Sequence, residues 1–219
     1  MRGRAMPALL ASVAALFGLA FAGQPPAQEI IDRIAARVEN DVILMSDLRG
    51  LSRYQQLVDG KAEPDEQLLD RLIDQWIVRS EAEASRFPRP PDADVERGME
   101  RLQNSFASLE EYELRKKQSG LSDAEVRRMV ASQLYLSSYL DSRFRPSVQI
   151  DAKAIEDFYQ SGVIPRAQAR GQTPPTLEDA RDFIQEALVQ RGINEQADRW
   201  LKESRARLHV DKLPREATK

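Results

Sequence analysis

The chain has 219 residues, of which 31% are charged and 42% are hydrophobic, and its formal net charge is -3. This length fits one large domain, or one domain with a smaller appendage. The absence of cysteine excludes disulfides, thiolate metal sites and a lipid-modified N-terminal cysteine. The single histidine, His209, removes most metal sites and nucleophile–base pairs from consideration, so any catalysis would depend on carboxylates, lysines or hydroxyls.

Residues 1–22 have the three regions of a secretory signal peptide. Arg2 and Arg4 form a charged start, residues 8–21 form an apolar segment, and small residues precede a cleavage site after Ala22. A retained membrane anchor is the alternative, but the segment is shorter than the roughly 20 apolar residues that a spanning helix needs. Cleavage would remove two arginines and no acids, which leaves an acidic protein. The acidic charge argues against nucleic acid and against an anionic membrane surface as the main partner. After cleavage we expect no stable membrane insertion.

Residues 30–51 predict a β-hairpin that leads into a helix. Alternate residues from Ile34 to Val38 are apolar, as one face of a half-buried strand requires. Asn40 and Asp41 are the predicted turn, because both residue types tolerate a left-handed backbone. Ser46 is the predicted N-cap of the helix. Two strands alone are only marginally stable in water, so the hairpin needs a further strand and covering helices.

Amphipathic helices are predicted to follow the hairpin, since apolar residues recur at steps of three and four. Gly60 ends the first helix, and the second extends over about 66–87 before the prolines at 88–91. Ser108 and Ser122 open the fourth and fifth helices with capping boxes. The predicted apolar stripes are Leu48, Leu51, Tyr54 and Val58 in the first helix, Leu69, Leu72, Ile73, Trp76 and Ile77 in the second, and Val95, Met99, Leu102 and Phe106 in the third.

The fifth helix, predicted to extend to about Phe144, carries two apolar surfaces. Val126 lies on the broader one, and Tyr135 and Tyr139 lie nearly opposite. The tyrosine pair is either a packing surface for another helix or an exposed surface for a client peptide. On the second interpretation, the peptide-binding residues are Tyr135, Tyr139, Met129 and Leu136.

The last third of the chain predicts further helices and a final strand. Asp151 caps a sixth helix that ends at Gly162, and residues 163–175 read as a loop. Thr176 caps a seventh helix, which Gly192 should break before an eighth. Residues 207–213 then alternate as a short strand.

Two segments resemble the SurA family of periplasmic chaperones: ARVENDVILMSDL at 36–48 and EQADRWLKESRARLHVDKL at 195–213. The resemblance extends over about residues 29–160 and 177–213. It implies a mainly α fold, a helical bundle with a small antiparallel sheet made of the N-terminal hairpin and the C-terminal strand. It also implies an ATP-independent periplasmic holdase for unfolded outer-membrane protein precursors, with the outer-membrane assembly machinery as a further partner.

Members of this family carry parvulin-type prolyl isomerase domains between the two segments. Here the segment from Asp151 to Thr176 has only 26 residues. A domain below roughly 40 residues rarely folds without disulfides or metals. We therefore predict a chaperone without isomerase activity. The predicted divisions are a signal peptide at 1–22, a helical chaperone domain at 23–161, a linker at 162–175, C-terminal helices and a strand at 176–213, and a tail at 214–219.

Other chemistry finds little support in the sequence. It contains no Gly-rich phosphate loop and no HExxH, GxSxG or EF-hand pattern. Asp70 with Asp74 could form an acid–base pair, as could Glu110 with Glu111, but we expect solvated carboxylates on exposed helix faces. We predict no catalytic residue, no cofactor and no metal site. Two alternative functions stay open: an adaptor that holds one folded partner, and a residual prolyl isomerase.

Overall fold

A computed structural model describes residues 32–213, so the predictions for the signal peptide at 1–22 and the tail at 214–219 lie outside the described residues. The prediction of a mainly α fold with a small antiparallel sheet is confirmed. The strands are β1 (Ile34–Val38), β2 (Asp41–Leu44) and β3 (Val210–Lys212). The helices are α1 (Met45–Asp59), α2 (Asp65–Ala84), α3 (Asp92–Asn104), α4 (Leu109–Ser119), α5 (Asp123–Phe144), α6 (Ala152–Phe158), α7 (Ile164–Ala169) and α8 (Leu177–Arg205).

The sheet has the strand order β2-β1-β3, with both pairs antiparallel. The C-terminal strand therefore supplies the partner that the hairpin lacks. Ala36 lies opposite Ile43 on one side and Lys212 on the other. A register shift between Ile34 and Ala36 interrupts the alternation, which explains why Ala35 and Ala36 are both buried.

The turn of the hairpin differs from the prediction by one residue. Glu39 and Asn40 form it, and Asp41 already belongs to β2. Glu39 has a left-handed backbone with φ of 51°, which is uncommon for glutamate. Two hydrogen bonds compensate: the Glu39 N–H donates to the His209 carbonyl at 3.0 Å, and the His209 N–H donates to Glu39 Oε1 at 2.7 Å. The turn residue thus also fixes the chain as it enters β3.

The predicted N-cap at Ser46 is wrong. Leu44 is the N-cap, so α1 begins two residues earlier than predicted, and the Leu44 N–H donates to Asp47 Oδ2 at 2.8 Å. The Ser46 N–H donates to Asp32 Oδ1 at 3.2 Å, so a carboxylate from before β1 satisfies this free helix donor. The other predicted caps are confirmed: the side chains of Ser108, Ser122, Asp151 and Thr176 each accept an N–H from the first turn of their helix.

Two buried clusters form most of the core, and α1 contributes its first half to one and its second half to the other. The predicted stripes of the first three helices face these clusters except at Val58, which is exposed because Leu57 is buried in its place. Trp76 is half-buried at the edge of the first cluster. The first cluster contains Ala35, Ala36, Val38, Ile43, Leu48, Leu51, Leu68, Leu69, Ile73 and Ile77, and the second contains Tyr54, Leu57, Val95, Tyr112, Leu121, Val126 and Val130.

Helix α8 is continuous through Gly192, so the predicted break into two helices is wrong. A Cβ at position 192 would lie 2.7 Å from Val148 Cγ1. The glycine therefore allows α8 to approach the segment after α5. In this case glycine relieves crowding, and its low helix propensity does not end the helix.

The predicted loop at 163–175 is wrong in its first half. A π-helical turn at Tyr159–Val163 connects α6 to α7 without a break. Pro165 lies in the first turn of α7, directly after the π-helical turn. The segment also packs against α8, since Phe158, Tyr159 and Val163 contact the cluster around Ile184.

An ion-pair network, which we call the Arg205 clasp, fastens the C-terminal elements to α2. Arg205 Nη1 lies 2.9 Å from Asp70 Oδ1, and Arg205 Nε lies 2.7 Å from Asp74 Oδ1. Lys212 Nζ in β3 lies 2.8 Å from Asp70 Oδ1. The end of α8 and the last strand are thereby held against the same helix. Within 32–213, no helix has the length and apolar character needed to span a membrane.

Candidate functional site

The tyrosine pair of α5 is buried, as the packing interpretation predicts. Tyr135 and Tyr139 are each 5% exposed and lie in a cluster with Val78 and Ala82 of α2. Phe87 packs on both rings, at centroid distances of 6.0 Å and 5.5 Å. The structure thus places the pair in a helix–helix contact and leaves it no exposed surface on which a client could lie.

Of the other two predicted peptide-binding residues, Met129 is half-buried and Leu136 is buried. Both line a cavity between β2, α1, α2 and α5, across from Leu72 and Trp76. The four predicted residues therefore separate into two pairs. Tyr135 with Tyr139 belongs to the core, whereas Met129 with Leu136 reaches a concave surface.

That cavity, of about 170 Å³, is one of three that adjoin at Tyr54 and Gln133. The largest, of about 690 Å³, lies between α1, the α1–α2 loop and α2. The third, of about 340 Å³, lies between α1, α3 and α5. We call the combined space the Tyr54 groove. Besides Tyr54 and Gln133, its lining includes the apolar residues Leu51, Val58, Leu72, Trp76, Leu102, Met129, Leu134 and Leu136.

Two glycines let the helices that frame the groove approach one another closely. A Cβ at Gly98 in α3 would lie 2.7 Å from Val130 Cγ1 of α5. A Cβ at Gly50 in α1 would lie 3.2 Å from Met129 Cε. Neither glycine has an unusual backbone conformation, so close packing is the reason that a larger side chain is unsuited to these positions.

The Tyr54 hydroxyl lies at the centre of the groove and donates to Gln133 Oε1 at 3.0 Å. Burial raises the pKa of Tyr54 to about 12, with smaller contributions from Tyr112 and Asp59. The phenol is therefore protonated at any physiological pH and always available as a donor. Its hydrogen bond fixes the Gln133 side chain, whose Nε2 group then has no partner among the described residues.

One wall of the largest cavity is held by a polar network. Gln55 donates through Nε2 to Glu63 Oε2 at 2.9 Å and accepts from the Glu63 N–H at 2.8 Å. Arg71 of α2 binds both carboxylate oxygens of Glu63, with Nη2 2.6 Å from Oε1. The hydrogen bonds from Arg71 and then Gln55 lower the pKa of Glu63 to about 2. This network closes the α1–α2 loop against α2.

Charges along the groove nearly cancel. The largest cavity is lined by Asp59 and Glu63 and by the bases Lys61 and Arg71. The smallest is lined by one acid, Asp47, and one base, Arg79. These two parts have no net charge, and the third part adds one base, Arg101. The whole lining therefore has one more base than acids, which gives it only a weak preference for charge.

Asp70 and Asp74 are half-buried and both bind Arg205 in the Arg205 clasp, so the expectation of solvated carboxylates is wrong for this pair. Burial raises the pKa of Asp74 more than the hydrogen bond from Arg205 lowers it. For Asp70 burial is outweighed by the bonds from Lys212 and Arg205, and its pKa is lowered. No group of three His, Cys, Asp or Glu side chains that could hold a metal ion occurs in the part of the chain that the structure describes.

Few features of the sequence indicate the groove. Tyr54 belongs to the predicted apolar stripe of the first helix and is buried. The residue to which its hydroxyl donates, Gln133, lies 79 positions away in the chain. Gln75 and Gln133 lie on α2 and α5, and nothing in the local pattern distinguishes them from other exposed glutamines. Met129, which shares the broad apolar side of α5 with Val126, and Leu136 are the two predicted peptide-binding residues that do line the groove.

Comparison with known proteins finds one distant relative. No protein-family model matches the chain. Chaperone SurA of Pseudomonas aeruginosa is 27% identical to it over 140 residues, which is 60% of this chain and 33% of that protein. The chain thus matches about a third of the length of this relative. The comparison supports a distant similarity to SurA-like chaperones.

Proposed function

We propose that this protein is an ATP-independent periplasmic holdase that binds unfolded outer-membrane protein precursors. The observation that carries the proposal is the Tyr54 groove, which lies within a chain distantly similar to a SurA chaperone. Periplasmic location follows from the secretory signal predicted at residues 1–22. The outer-membrane assembly machinery is the further partner that this function would need.

The groove has the properties expected of a weak and unspecific peptide site. An unfolded client exposes extended segments in which apolar residues alternate with polar ones. Leu72, Trp76 and Met129 offer half-buried apolar surface to such residues. The charges of the lining nearly cancel, which keeps selection by client charge weak. Binding of this kind stays modest in affinity because ordering an unfolded segment costs much of the gross interaction energy.

Binding without catalysis is part of the same proposal. Residues 152–205 form helices α6 to α8 and the turns between them. The residues that line the groove include no histidine and no cysteine. A prolyl isomerase would accelerate a proline-limited refolding reaction, and we expect no acceleration. An adaptor would instead retain one folded partner selectively.

The test measures aggregation of two unrelated outer-membrane proteins after dilution from denaturant, at near-equal molar ratios of protein and client. The protein is purified from the periplasm of an expressing bacterium. The mass of the intact protein shows whether the signal peptide is cleaved after Ala22. We expect slower light-scattering growth for both clients. No effect on either would contradict the proposal, and selective retention of one folded protein would favour the adaptor.

A paired variant assigns the effect to the groove. Leu72→Gln with Met129→Gln places two polar groups on its apolar wall and should weaken the suppression of aggregation. Leu114→Gln is the matched control, because Leu114 is 56% exposed on α4 and lies outside the groove lining. Equal activity of both variants, each with a wild-type melting temperature, would show that clients bind elsewhere.

A further inference from the structure

Three glutamines of the Tyr54 groove have amide N–H donors without a hydrogen bond to residues 32–213: the exposed Gln67 and Gln133 and the half-buried Gln75, of which Gln67 lines only the largest cavity. Gln75 of α2 and Gln133 of α5 both line the largest and the smallest of its cavities. Gln133 accepts one hydrogen bond, from Tyr54, and its Nε2 group makes none with the residues at 32–213. The amide of Gln75 is half-buried and has no hydrogen bond within that range. Other polar side chains nearby, such as Gln55 and Glu63, are bonded to each other.

These two amides have the hydrogen-bonding capacity of a peptide group. A glutamine amide offers N–H donors and a carbonyl acceptor, and each main-chain unit of a client likewise carries one donor and one acceptor. The Tyr54 bond occupies one acceptor position of Gln133 and leaves its donors free. Gln75 can use both of its groups. Together they can bind a C=O and an N–H of an extended chain.

We propose that Gln75 and Gln133 hydrogen-bond the main chain of an extended client segment, while the apolar wall takes its side chains. This inference deepens the proposed holdase function and rests on it. Because every client residue except proline has the same main-chain groups, such a contact is independent of client sequence. In the two cavities that Gln75 and Gln133 share, acids and bases are equal in number, which adds no electrostatic preference among clients.

A backbone substitution in the client tests the inference directly. The probe is a synthetic 12-residue peptide, acetylated and amidated, in which valine or tyrosine alternates with threonine. In a second peptide the four central amide bonds are replaced by esters, which removes N–H donors and weakens the carbonyl acceptors while leaving every side chain in place. Calorimetric titration of the full protein compares the two, and we expect the ester peptide to bind about threefold to tenfold more weakly.

The variant Gln75→Met with Gln133→Met removes both amides and keeps side chains of similar length. It should bind the amide and ester peptides equally well, whereas the control Gln56→Met should keep the wild-type preference, because Gln56 is an exposed residue of α1 outside the groove lining. Melting curves confirm that the variants are folded.

Each outcome separates the inference from the function on which it rests. If the wild-type protein binds both peptides equally, or if the double variant keeps the preference, main-chain recognition by these glutamines is refuted and the holdase function stands. If the wild-type protein binds neither peptide and leaves aggregation unchanged, the proposed function itself is refuted.

Discussion

The Arg205 clasp offers the sharpest test of how the fold is closed. In Arg205→Met the side chain keeps an apolar stem and loses its contacts with Asp70 and Asp74. These three side chains are 31%, 36% and 35% exposed, so they lie between the buried and exposed cases. Breaking a buried pair costs about 3–5 kcal/mol and an exposed one about 0–1 kcal/mol. We expect a loss of about 2 kcal/mol in the free energy of unfolding, after allowing for solvent screening.

For a chain of this length, 1 kcal/mol corresponds to about 2–4 °C in melting temperature, so Arg205→Met should melt about 4–8 °C lower. Thermal unfolding followed by circular dichroism measures this. Arg199→Met on the same helix is the matched control, since Arg199 is exposed and makes no ion pair with a described residue. Equal melting temperatures for the two variants would refute the reasoning.

A second substitution identifies the side chain responsible for the loss of stability in Arg205→Met. With Arg205 replaced, Asp74 is a half-buried carboxylate without its partner, and burial then raises its pKa unopposed. Asp74→Asn should therefore destabilise the wild-type protein but partly restore the Arg205→Met variant. If Asp74→Asn lowered the free energy of unfolding in both backgrounds, Asp74 and Arg205 would not act as a pair.

Three further predictions concern packing and pH. Tyr139→Ala should cost about 3–5 kcal/mol in unfolding by denaturant, whereas Tyr139→Phe should cost about 1 kcal/mol; similar small losses would mean that the ring is not core. Gly192→Ala should destabilise by about 1–3 kcal/mol because its Cβ meets Val148, but it should stabilise a Val148→Ala background, and unchanged stability in both would contradict the close approach. The pKa of Glu63 is lowered from its ordinary 4.5 to about 2, chiefly by Arg71, so its stabilising contribution is complete above pH 4.5 and is lost as pH falls towards 2. Melting temperatures across this window should fall less steeply in Glu63→Gln, and parallel curves would argue against the pair.

Local features of the sequence predicted local structure well. The caps at Ser108, Ser122 and Thr176 depend on side chains that bond a backbone group three residues away, so a single sequence contains the whole motif. The same holds for Gly60, whose left-handed backbone ends α1 as predicted. The strand at the C-terminus was also predicted, from alternation and from the resemblance that pairs it with the hairpin.

Features that depend on residues far apart in the chain could not be predicted from the sequence. Gly192 looks like a helix breaker until Val148 is seen beside it, 44 positions earlier in the chain. Asp70 and Asp74 look like solvated acids until Arg205 reaches them from 131 positions or more away. The groove itself is a space between helices, and spacing along one helix carries no information about the width of a gap to the next.

Because β1 pairs with β3, the sheet cannot be completed during synthesis until β3 has been made. Of the three strands at residues 32–213, β1 is synthesised first and β3 last, and Glu39 and His209 are separated by 170 positions. Until then one edge of the hairpin has free N–H and C=O groups, which are a template for pairing with other chains. Most of the helical bundle is synthesised in that interval. A protein proposed to protect unfolded chains therefore passes through a stage in which its own first strand is as exposed as a client's.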